Sequence, residues 1–85
     1  MNLSNIPEHM HQGIIDYIEH GVPPGSFFNA VLENNLVEAA AHADDVNKYH
    51  LFDYAVLMYN EFPSASWGST RRVEEWIKQR GLENA

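Results

Sequence analysis

The sequence predicts an all-α fold, a compact bundle of about four short helices that associates with copies of itself. Three observations carry this. Apolar residues recur every three or four positions, proline and glycine fall between the periodic stretches, and no stretch alternates as a strand would.

Ile6, Met10, Ile14 and Ile18, joined by Tyr17, form one apolar stripe and predict a first helix over about 7–20. Ser4 or Asn5 is the expected cap, Pro7 suits the first turn, and Gly21 is the expected stop. Val22-Pro23-Pro24-Gly25-Ser26 then breaks the chain rigidly. A second helix is expected over about 26–42, with Phe28, Val31, Leu32, Leu36, Ala39 and Ala40 inward and Phe27 beside them.

Asp44 is the expected cap of a third helix over about 44–60. From Tyr54 to Tyr59 every residue is apolar or aromatic, which predicts burial around the whole circumference, part of it by a second subunit. Phe62-Pro63 ends that helix, and Ser64–Ser69 is a loop of small residues around Trp67. Ser69 or Thr70 opens a last helix over about 70–80, with Val73, Trp76 and Ile77 inward and Gly81 closing it. The tail Leu82–Ala85 is expected to fray.

The 85 residues suit one domain, whose core is only marginally sufficient. There is no cysteine, so neither a disulfide nor a thiolate metal site supports it. Twelve Asp and Glu against five Lys and Arg give a formal charge of −7. That charge repels phosphate backbones, argues against general nucleic-acid or anionic-membrane binding, and favours basic partners. The start, MNLSNIPEHM, has no basic and apolar leader pattern, and no apolar run is long enough to span a membrane. The expected location is the cytoplasm.

Two loops open helices in related ways: Pro23-Pro24-Gly25-Ser26 and Ser66-Trp67-Gly68-Ser69-Thr70. Free N–H groups at a helix start attract anions, and glycine allows close backbone approach. Arg71 and Arg72 stand in the first turn of the last helix, against its dipole. Local Glu74 and Glu75 are the ordinary compensation; an external phosphate or carboxylate held by the guanidinium forks is the functional one. Trp67 would then offer a stacking face for a base. The candidate ligand-binding set is Gly25, Ser26, Trp67, Gly68, Ser69, Thr70, Arg71 and Arg72.

Metal and catalytic readings fare worse. His9 and His11 are two apart and point to different faces. Asp16–His20 and Glu38–His42 are expected to be surface ion pairs, and His50–Asp53 a structural polar pair. No zinc or calcium pattern is present, and neither Ser26 nor Ser69 belongs to a nucleophile elbow or triad. No metal, no cofactor and no enzymatic activity are expected.

The stretches Tyr17–Phe27 (YIEHGVPPGSF), Ala30–Leu36, Phe62–Ser69 (FPSASWGS) and Val73–Ile77 resemble a family of small proteins from tailed phages and prophages. The resemblance covers most of the chain. It implies a phage origin and action inside the host cell, where small accessory proteins of this kind counter host defence. Two readings follow. In one, a helical oligomer sequesters a small anionic, cyclic-nucleotide signal between the two loops, within one chain or across a subunit boundary. In the other, an acidic inhibitor of the anti-CRISPR or DNA-mimic type binds a basic host defence protein. A purely structural phage component acting by self-association is a third.

Overall fold

The computed structural model describes residues 1–84. Five α-helices are joined by short loops and 3-10 turns, with no strand among the described residues. They are α1 (His11–His20), α2 (Ser26–Leu32), α3 (Leu36–His42), α4 (Leu51–Glu61) and α5 (Thr70–Lys78). Fold class is as the sequence predicts, and the boundaries differ in instructive ways.

Pro7 cannot continue a hydrogen-bonded turn behind it, so the chain enters α1 through a 3-10 turn, Glu8–Met10. Neither Ser4 nor Asn5 caps this entry; the capping position is Pro7, with no side-chain bond. At the other end Gly21 takes φ 64°, and its N–H donates to the Tyr17 carbonyl at 2.9 Å.

The expected single helix over 26–42 is two helices. Asn34 sits at φ 63° and breaks the ladder. Asparagine tolerates the left-handed region better than other residues with a Cβ, and its amide competes for backbone groups. The Asn35 side chain then caps α3, accepting from the Glu38 N–H at 3.2 Å. The redirection leaves Ala39 buried but turns Ala40, Leu36 and Val37 outward, the last two 69% and 76% exposed, contrary to the inward places expected of Leu36 and Ala40.

Asp44 ties the turn before the next segment and is not its cap: its Oδ1 accepts from the N–H groups of Val46 and Asn47, at 3.0 and 2.6 Å. The capping position of the 3-10 turn Asn47–His50 is Val46, without a side-chain bond, and α4 begins only at Leu51, after His50. The final helix starts as expected, with the Ser69 hydroxyl accepting from the Arg72 N–H at 3.1 Å. Past its end the expected fraying gives way, over Leu82–Asn84, to a 3-10 turn, Gly81–Asn84, packed on the end of α1. Ala85 lies outside the described residues. The turn stays because a Cβ on Gly81 would meet the Ile18 carbonyl oxygen at 2.5 Å and one on Gly21 the Arg80 Cα at 2.8 Å; two bare glycine backbones cross there.

The core is aromatic. Tyr17, Phe28, Phe27, Tyr54 and Phe62 meet edge-on or tilted, with centroids 5.3–6.3 Å apart. Both buried phenols are satisfied: Tyr17 donates to the Ser66 carbonyl and Tyr54 to the Asn47 side-chain carbonyl, each at 2.7 Å. Burial, with the charges of Glu33 and Asp44 adding respectively, pushes both phenols well above their ordinary pKa. Trp76 closes the other side, its indole N–H donating to the Tyr17 carbonyl at 2.9 Å.

Candidate functional site

The structure separates the two loops expected to hold a ligand. Gly25 and Ser26 stand at the start of α2, whereas the Gly68 N–H donates to the carbonyl of Leu32, its last residue, at 2.7 Å. The length of α2, seven residues from Ser26 to Leu32 and roughly 10 Å, therefore separates them. Within one chain, Gly25 and Ser26 do not share a pocket with Trp67, Gly68, Ser69, Thr70, Arg71 and Arg72.

At the second loop the local explanation of the arginines is realised. Arg71, exposed, pairs with Glu75 across one helical turn at 3.1 Å. Arg72 folds back over the loop, its Nη1 donating to the carbonyls of Ser64 and Trp67, both at 3.4 Å. Gly68 allows this, because a Cβ there would lie 3.1 Å from that same Nη1. Trp67 packs its ring against the core, with an indole N–H that is buried and finds no acceptor among the described residues. Thr70, by contrast, is exposed at the start of α5.

The histidines are spent on neighbours. His9 meets Asp44 at 3.1 Å, His42 meets Glu38 at 3.4 Å, and His50 meets Asp53 at 2.9 Å. The expected Asp16–His20 pair is replaced: Asp16 accepts from Gln12 at 2.8 Å, and His20 reaches Glu83 at 3.1 Å. Among the described residues, no three His, Asp or Glu side chains gather as a metal site would require.

Two other features stand out. The first is the outer face of α4. Tyr54, Leu57 and Met58 point inward, so the all-apolar stretch is not buried around its circumference. Tyr49, Phe52 and Tyr59 are 77%, 79% and 80% exposed, and Val56 joins them. Residues 52, 56 and 59 share one helical face, and Tyr49 extends the row backward by one turn. The stretch that the sequence marks as apolar on all sides thus has one face on the core and one that this chain leaves open.

The second is a groove of about 330 Å³ between the start of α1, the Pro24–Ser26 loop and residues 42–47. Phe27 and Met10 lie along it, and His9 and Asp44 border it. Bonding from the Asn47 N–H, chiefly, holds the Asp44 carboxyl below its ordinary pKa against the effect of desolvation.

Charge is divided along the chain. Nine of the twelve acidic residues, but of the five Lys and Arg only Lys48, precede Thr70; the other four cations are Arg71, Arg72, Lys78 and Arg80. Lys48 itself lies 3.5 Å from Asp45. The body that carries α4 is thus strongly acidic. No helix among the described residues is long and apolar enough to cross a membrane.

No family model, no curated protein and no solved structure matches this chain.

Proposed function

We propose that this chain is a non-enzymatic, phage-encoded binding protein that counters host defence by laying the outer face of α4 into an apolar groove of a basic host protein. The observation that carries the reading is the row of Phe52, Val56 and Tyr59, extended by Tyr49. Their spacing is that of anchor residues in helix-in-groove recognition. An aromatic side chain contributes roughly 150–250 Å² of contact when buried, so the three rings, each about four-fifths exposed, supply on the order of 350–600 Å². That exceeds the isolated apolar residues common on any surface, and it is about half of the roughly 800 Å² that one side of a stable interface requires.

Charge selects the partner. A second copy would bring its own acidic body against this one, whereas a basic rim would be attracted to it. A host protein whose basic surface ordinarily holds nucleic acid meets that description, and the resemblance to tailed-phage proteins supplies the setting.

The nucleotide-sequestering reading draws less support. Arg71 is paired with Glu75, Arg72 caps loop carbonyls, and the Gly25 loop lies at the other end of α2. One experiment separates the readings. The chain and its Phe52→Ala, Tyr59→Ala double variant are expressed in bacteria, purified gently, and examined by native mass spectrometry before and after denaturation. The expected result is a basic host protein that co-purifies with the wild type, is lost with the variant, and dissociates as salt rises. A phosphate-bearing small molecule released equally from both proteins would replace this reading with sequestration. A partner held equally by both would remove α4 from the interface.

A further inference from the structure

The groove at the start of α1 calls for an explanation that the α4 face does not supply. Two glycines border it, Gly13 and Gly25. Gly13 lies inside α1, where glycine weakens a helix relative to alanine. Its backbone is not among those with positive φ, and a Cβ built on it meets nothing within 4 Å. Gly25, at φ −69° and ψ 172°, has a conformation open to any residue, and its Cβ position is empty as well. Neither glycine is required by its own turn or by a neighbour in this chain. What they share is the groove, whose walls they keep bare to the backbone.

The lining says what fits. Half-buried Met10 offers a polarisable surface, with only an edge of the core ring Phe27 reaching the groove. Asp44 supplies an anionic end, fixed in place by the Val46 and Asn47 N–H groups and by His9 at 3.1 Å. No lysine or arginine lines the groove. Its volume of about 330 Å³ lies at the small end of ligand sites, right for a group of one or two rings.

We infer that this groove binds a small aromatic amine, its ring over Met10 and the bare backbone of Gly13 and Gly25 and its ammonium beside Asp44. The site is distinct from the α4 face and does not depend on the protein-binding reading. Charge supplies the selectivity: an isosteric carboxylate would meet Asp44 with the wrong sign.

Tryptamine and indole-3-propionate, which share a ring and differ in charge, are the probes. Each is titrated into the full chain while backbone amide resonances are followed. Tryptamine should shift Gly13, Gly25, Ser26 and Asn47, and indole-3-propionate should bind at least about fivefold more weakly. Gly13→Leu, whose side chain enters the open space, should abolish the shifts, with the rest of the spectrum showing the fold intact. Gly13→Ala, which favours the helix, should raise the melting temperature while weakening tryptamine binding. Asp44→Asn, which retains an accepting oxygen, should erase the preference for the amine. The inference is overturned by tryptamine causing no shifts at millimolar concentration, by shifts that survive both Gly13 variants, or by equal binding of the two probes.

Discussion

Tyr17 does three jobs from one position. Its ring sits in the aromatic core, its hydroxyl holds the Ser66 carbonyl, and its own carbonyl accepts from both Gly21 and Trp76. Replacing it by phenylalanine keeps the packing and strands a buried carbonyl, an asymmetry that costs more than a net hydrogen bond is worth. Tyr17→Phe should therefore lower unfolding free energy by about 1–3 kcal/mol in urea denaturation, with an unchanged slope. The glycine crossing is less forgiving. Gly81→Ala combines a φ of 61° with a Cβ against backbone, and should cost about 2–3 kcal/mol in the same measurement. Residue-scale facts of this kind were only half legible. Gly21 and Gly81 read as helix stops from the chain alone, but that they cross each other depends on a contact sixty residues apart.

At the scale of the element, the sequence reading succeeded where punctuation was strong and failed where it was subtle. Pro23-Pro24-Gly25 and Phe62-Pro63 mark true breaks, and Ser69 caps α5 as its type predicts. Asn34-Asn35 was missed because apolar periodicity runs straight through it, and two asparagines weigh little beside a proline in such a reading. Yet Asn35 is a working cap, and Asn35→Ala should cost about 1 kcal/mol, read as a lower denaturation midpoint. The Asp44 turn adds a pH dependence. Its carboxyl titrates lower in the folded chain than its ordinary value of 3.8, chiefly because the Asn47 N–H bonds the charged form. The stabilisation it gives is complete above about pH 4–5 and is lost as pH falls through the folded pKa. Thermal melts of the wild type and Asp44→Asn should therefore converge on acidification, with the wild type losing more.

For the whole molecule, the core and the fold class were legible because they follow from hydrophobic spacing. The candidate site was not. Gly25 and Ser26 were linked with Trp67–Arg72 by their chemistry, and only the three-dimensional path shows α2 holding the two loops apart. The α4 stretch reads as apolar on all sides, with part of it expected to be covered by a second subunit, and the small body itself covers one side of it. If the outer face serves binding and not folding, the Phe52→Ala, Tyr59→Ala variant should unfold within about 0.5 kcal/mol of the wild type, as surface substitutions do. A larger loss would mean that those rings stabilise the monomer.

The confinement of four of the five Lys and Arg side chains to α5 and the residues just after it makes the molecule an electric dipole as well as an anion. In the field of a basic surface such a body is both drawn in and turned, its acid-rich part toward that surface. Encounters then begin already oriented, and fewer collisions are wasted on wrong faces. Binding speed, more than residence time, is what this arrangement governs. Reversing charges on α5 would tell most in how quickly a complex forms at low salt.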